Sequence, residues 1–170
     1  MKTMKKSARS AGFAAFAAAM AVMCFAAQPA VAETEAAQTG AVSPQDFAAW
    51  LDGYKEAWET RDAAKAGALF TADATYRENP FEDAMEGRAA IEEYWSGVTA
   101  DQRDVTFTYD VLTCDGDNCL AQWHAAFTSA SGGAAIELDG VFLCAFADAK
   151  TVSSLKEWWH IQVTPPDESE

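Results

Sequence analysis

Histidine is the one side chain whose ordinary pKa lies near neutrality, and this chain has two, His124 and His160. Glu157 sits inside the apolar, strand-like run Leu155-Lys156-Glu157-Trp158-Trp159. An acid on a buried strand face is rare unless it is paired or functional. A carboxylate that holds one imidazole nitrogen leaves the other free to give or take a proton, so a histidine facing Glu157 would make a general acid–base pair. A purely structural role, with the imidazole hydrogen-bonded to a neighbouring acid or amide, is the competing reading. Other chemistries find less support. The histidines fall on different predicted strands, and no His/Cys/Asp set has metal-ligand spacing, so no metal is expected. No Gly-x-Ser-x-Gly nucleophile elbow occurs. No cofactor is expected either.

Cys114 and Cys119 bracket Asp115-Gly116-Asp117-Asn118, a turn-forming stretch between two strand-like runs, which predicts a hairpin disulfide. The stretch is too short for a calcium loop and lacks the later bidentate acid. Cys144, within Val141-Phe142-Leu143-Cys144-Ala145-Phe146, reads as a small buried hydrophobe with a reduced thiol.

The N-terminus sets the compartment. Lys2, Lys5, Lys6 and Arg9 precede an apolar run from Phe13 to Ala27, which closes in Pro29-Ala30-Val31-Ala32. This is the pattern of a secretory signal peptide over residues 1–32, cleaved after Ala32, and it predicts a periplasmic or secreted protein without stable membrane insertion. Met23 stands before Cys24 where a lipoprotein signal needs a small residue. Cleavage leaves eight basic residues against 26 acids, a formal charge of −18. Such a field repels phosphate backbones and argues against a nucleic-acid partner.

Residues 33–42 are small, polar and aperiodic, and read as a flexible leader. The domain is expected over residues 43–164, with 165–170 as a polar tail. Ser43-Pro44-Gln45-Asp46 supplies a helix N-cap, a first-turn proline and an acid, and Phe47, Trp50, Leu51, Tyr54 and Trp58 then recur at helical spacing to about Thr60. Asp62 caps a second, shorter helix through Phe70, and a third follows Gly87 with Ile91, Tyr94, Trp95 and Val98 on its apolar face. After Asp101 the period becomes two, with Val105, Phe107, Tyr109 and Val111 alternating with polar residues. Three more strand-like runs span 120–129, 134–147 and 152–163. Helices followed by antiparallel strands make an α+β architecture.

The segment Asp73-Ala74-Thr75-Tyr76-Arg77-Glu78-Asn79-Pro80-Phe81, followed by Gly87-Arg88-Ala89-Ala90-Ile91, resembles the nuclear transport factor 2-like superfamily, and its SnoaL-like and ketosteroid-isomerase-like members in particular. The resemblance implies a cone-shaped fold, with about three N-terminal helices on a curved, mainly antiparallel sheet that encloses a pocket. It also implies a capacity to form a homodimer through the outer sheet face. Ketosteroid isomerases place a tyrosine on the first helix, an aspartate base before Pro-Phe, and a protonated aspartic acid on a later strand. By the resemblance, Tyr54 takes the tyrosine position, Asn79 that of the base and Phe142 that of the acid. An amide cannot abstract an α-proton near neutral pH, so the isomerase reaction is not expected.

Carrying the pocket side along each strand from these matched positions predicts that Leu138, Gly140, Phe142 and Cys144 face inward. The same registration turns Gln122, His124, Ala126 and Thr128 inward on the preceding strand, and Leu155, Glu157, Trp159 and Ile161 on the last, leaving Asp139 and His160 outside. The expected catalytic group is therefore His124, Glu157 and Tyr54, with Trp58, Asn79, Gln122, Phe142 and Trp159 as ligand-binding residues. Two functions fit. One is an exported protein that holds an apolar small molecule in the cone. The other is a cofactor-independent lyase, isomerase or cyclase using His124 and Glu157 as the acid–base pair with Tyr54.

Overall fold

The computed structural model describes residues 41–166; the expected signal peptide, most of the leader and the end of the tail lie outside the described residues. Helix α1 (Pro44–Thr60) begins with a capping box, in which Ser43 and Asp46 satisfy each other's backbone N–H groups. It ends on Arg61 in the left-handed conformation, and Asp62 at once caps α2 (Ala63–Ala68) by accepting from the Lys65 N–H. Strand β1 (Phe70–Arg77) follows directly, so the second helix stops short of Phe70. A two-residue strand β2 (Met85–Glu86) precedes α3 (Arg88–Val98). Gly87 joins them at φ 83°, a backbone conformation that side chains disfavour.

Four long strands follow: β3 (Gln102–Asp115), β4 (Asn118–Ser129), β5 (Ala135–Phe146) and β6 (Val152–Thr164). They form one six-stranded sheet in the order β2-β1-β6-β5-β4-β3, antiparallel except between β1 and β6. The α+β expectation therefore holds, with three helices lying against a mainly antiparallel sheet. Cys114 and Cys119 pair directly across the β3–β4 hairpin and are bonded, whereas Cys144 is buried and free.

Strand β3 is an edge, and an edge offers unpaired backbone groups to other chains. Helix α1 covers it: Lys55 donates to the Phe107 carbonyl at 2.7 Å, and Glu59 accepts from the Phe107 N–H at 3.0 Å. Tyr109 adds bonds to the Ala48 carbonyl and to Asp52. The apolar stripe of α1 is thus pressed onto the inner sheet face, where Tyr54 stacks edge-on against Trp95 and Phe142.

Candidate functional site

On the inner face the strands bring a run of aromatic rings into one layer. Trp123 on β4, Gly140 on β5 and Trp159 on β6 lie side by side in register. A Cβ at Gly140 would come within 2.8 Å of both the Trp123 ring and the Trp159 side chain, so glycine is what lets the two indoles close over β5. Above them α1 contributes Tyr54 and Trp58, and α3 contributes Tyr94 and Trp95. Together these elements enclose a cavity of about 180 Å³.

The cavity is graded in depth. Tyr54, Tyr76 and Glu157 form its floor and are 1%, 1% and 5% exposed, whereas Trp159, Val98 and Ile161 at the mouth are 38%, 39% and 54% exposed. Nearly all its polar groups are at or near the bottom. The Tyr54 and Tyr76 hydroxyls lie 2.9 Å apart, and Tyr76 donates to Glu157 Oε1 at 2.9 Å. A second carboxyl, Glu78, reaches the same space from the end of β1 and accepts from the Tyr94 hydroxyl. Gln102 accepts from the Trp58 indole N–H at 2.8 Å on the opposite wall.

Among the described residues, no basic side chain lines this cavity. Burial pushes the Glu157 carboxyl up to about 8; the nearby charge of Glu78 adds to the shift and the bond from Tyr76 opposes it. Burial also raises Glu78, against the Tyr94 bond, which favours its ionised form. Near neutral pH Glu157 is therefore held mainly protonated, with a second carboxyl, Glu78, in the same cavity. The indole N–H groups of Trp95 and Trp123 are buried without a hydrogen-bond partner. Trp95 stands nearly perpendicular to Tyr54 and Trp58, at 85° and 84°, the arrangement that sets ring edges against ring faces.

The inward facing expected for β5 and β6 agrees with the structure, and Tyr54, Trp58, Glu157 and Trp159 all line the cavity. Strand β4 runs the other way round. Cys119, Ala121, Trp123 and Ala125 are its buried set, because they lie opposite Cys144, Phe142, Gly140 and Leu138 of β5, and directly opposed residues share a face. Gln122 and His124 are therefore on the outer face. His124 sits 3.8 Å from Asp139 there, and Gln122 also points to Asp139. The expected His124–Glu157 pair does not form.

Two further placements differ. Asn79 caps the turn after β1, accepting from the Phe81 N–H and donating to Glu82, and lies outside the cavity; Glu78, one residue earlier, turns inward instead. Phe142 is fully buried beneath Tyr54 and Trp123 as packing rather than lining. Sequence reasoning missed Tyr76, Glu78 and Tyr94 as site residues. The alternation of Ala74 and Tyr76 along β1, both buried, was the signal available for Tyr76.

Comparison with known proteins agrees with this architecture. An epoxide hydrolase/cyclase-like enzyme, SalBIII, of pyran ring formation in salinomycin superposes with a TM-score of 0.61 at 21% identity, covering 70% of this chain and 96% of that one. The Δ5-3-ketosteroid isomerase of Mycobacterium sp. superposes at 0.61 with 18% identity, covering 72% and 100%. A protein of ketosteroid isomerase-like fold from Catenulispora acidiphila, in complex with trimethylamine, superposes at 0.56 with 18% identity, covering 64% and 82%. At these identities the likeness is one of fold. No curated protein matches the sequence. The sequence pattern of the SnoaL-like domain matches residues 50–154, which include Glu78 and end just before Glu157 on β6, and the chain belongs to that family, within the nuclear transport factor 2-like superfamily.

Proposed function

We propose that this is an exported small-molecule-binding protein that holds a compact, largely apolar ligand in the aromatic cone, anchored by the Glu78–Glu157 floor. The observation that carries this reading is the gradient from an apolar mouth to a polar floor within a single cavity. Ligand sites pair apolar walls with a few convergent polar groups in this way. A cavity of about 180 Å³ is somewhat larger than the roughly 150 Å³ that takes up benzene, so a single ring or a branched chain is the fitting size. Export rests on the N-terminal pattern of residues 1–32, and the Cys114–Cys119 bond suits an oxidising compartment.

Native mass spectrometry of protein isolated from its own cell envelope tests both parts. The expected species begins at Glu33, carries one disulfide and holds a small molecule that Trp123→Leu no longer retains. A chain that keeps residues 1–32 removes the export reading. A mature chain whose Trp fluorescence ignores every ring-sized ligand offered removes the binding reading.

The presence of two carboxyls in one cavity favours a second reading, a proton-transfer enzyme with protonated Glu157 as acid and Glu78 as its partner base. The isomerase aspartic acid has its counterpart at Phe142, and Glu157 stands directly across from Phe142 on the neighbouring strand. A carboxyl could thus serve the same space from one strand over. Turnover of the retained ligand, abolished by Glu78→Gln, separates catalysis from storage.

A further inference from the structure

The geometry points to a small alkylated ammonium ion as the class of ligand this cavity takes, seated with its positive centre between Glu78 and Glu157 and its alkyl groups against the indole walls. The inference rests on the binding reading above and narrows it. Three observations converge. First, two carboxyls face one cavity with no Lys, Arg or His on its lining among the described residues, so those residues supply no counter-charge. Second, eight of the fourteen lining residues are aromatic. Aliphatic walls would serve a neutral ligand equally well; aromatic faces carry a negative potential that attracts cations, most strongly at tryptophan. Third, no group of three metal-ligating side chains converges among the described residues, and the apolar mouth disfavours a strongly hydrated ion.

The tyrosines complete the arrangement. The Tyr54–Tyr76 chain leads to Glu157 Oε1, so a donor is already in place for an ionised carboxylate. The groups facing Glu157 are Tyr76 and Glu78 from the β1 side, Tyr54 from α1, Tyr94 from α3 and the Cys144 thiol from β5. None is cationic. An arriving ammonium would therefore displace the proton from Glu157 into solvent, and the proton would reach buffer with no other bond broken.

Choline and its neutral isostere 3,3-dimethylbutan-1-ol provide the test, by calorimetry and tryptophan fluorescence on the mature chain at physiological salt. Choline is expected to bind about tenfold or more tightly than the alcohol, an advantage of roughly 1.4 kcal/mol. Its affinity should rise with pH up to about 8, and below that pH its binding should release a proton in buffers of differing ionisation enthalpy. Glu157→Gln should erase the preference and the proton release. Asp139→Asn, the same change of charge on the outer face, should leave both intact. If the alcohol binds as tightly as choline, the cation inference falls while the binding reading stands. If the wild type takes up neither, the cation inference falls, and the binding reading is then decided by the ring-sized ligands. Equal losses from Glu157→Gln and Asp139→Asn would mean that net charge alone attracts the cation, which also overturns the inference.

Discussion

The two faces of the β4–β6 sheet carry similar chemistry to opposite effect. The inner face holds a carboxyl, Glu157, opposite Phe142 and bonded to Tyr76; the outer face holds a carboxyl, Asp139, beside His124, with Trp158 and His160 near by. Inside, Trp123 is 2% exposed and packs on Phe142 with ring centroids 5.0 Å apart. Outside, Trp158 is 47% exposed. Exposure is what separates them: water screens the outer ion pair to little net value, whereas burial makes one proton on Glu157 a matter of stability. Residue type alone does not mark a site; the face on which the residue falls decides how strongly its charge is felt.

Truncating one tryptophan on each face should break the symmetry most sharply. Trp123→Ala removes a buried ring that also contacts Trp58 and Phe107, and is expected to cost about 3–5 kcal/mol in urea unfolding. Trp158→Ala should stay within about 1 kcal/mol. Comparable losses at the two positions would show that the outer face is as well packed as the inner one.

The next effect is a slope rather than an offset. Glu157 has its folded-state pKa raised from 4.5 to about 8, so the folded chain binds more protons than the unfolded chain across that interval. Its contribution is fully present below the unfolded value and is lost as pH rises through the folded one. At ~1.4 kcal/mol per pKa unit the loss amounts to at most about 5 kcal/mol. Glu157→Gln should flatten this slope and overtake the wild type at alkaline pH, as read from melting temperatures across the interval. Asp139→Asn should leave the slope in place.

Much of this molecule was legible in the sequence, and the boundary of legibility has a physical cause. Caps, periodicity and turn chemistry are local, and they located the three helices and the four long strands of the described residues. The short strand β2 has no local pattern to read. The facing of β4 was misjudged because it was carried over from a family registration, although the chain's own alternation held the answer. Ala121, Trp123, Ala125 and Phe127 form an apolar series, and Gln122, His124 and Thr128 a polar one. Period-two alternation is set by burial at each position, whereas a transferred registration shifts with every bulge, and β3 has register shifts on both sides of its centre. The Glu78–Glu157 pair could not be read at all, since it depends on the parallel β1–β6 contact between segments about eighty residues apart.

Removing one hydroxyl probes how the floor is wired. Tyr76→Phe takes away the donor to Glu157 and the partner of Tyr54, leaving two buried polar groups without their bonds. A cost of about 1–3 kcal/mol is expected. Because the Tyr76 bond favours the ionised carboxyl, its loss should also move the Glu157 titration to still higher pH. Thr108→Val, on the outer face opposite His124, should leave the titration where it was. An unmoved Glu157 titration in Tyr76→Phe would mean that the carboxyl draws its support from elsewhere.

The smallest effect belongs to the residue whose chemistry is most conspicuous in the sequence. His124 is 44% exposed and its Nδ1 lies 3.8 Å from Asp139, itself 62% exposed, a separation and exposure at which an ion pair contributes between nothing and about 1 kcal/mol. The sheet lies between its ring and the cavity, because Trp123 and Ala125 on either side of it point inward. His124→Ala should therefore change stability by less than about 0.5 kcal/mol. It should leave choline affinity, proton release and any turnover at wild-type levels. The same protein with Glu157→Gln should lose the first two. If His124→Ala instead abolished ligand binding while preserving the fold, the ligand would have to lie on the outer face. The comparison between the two faces would then be reversed, and the His124–Asp139 pair, rather than the carboxyl floor, would become the polar anchor of the site.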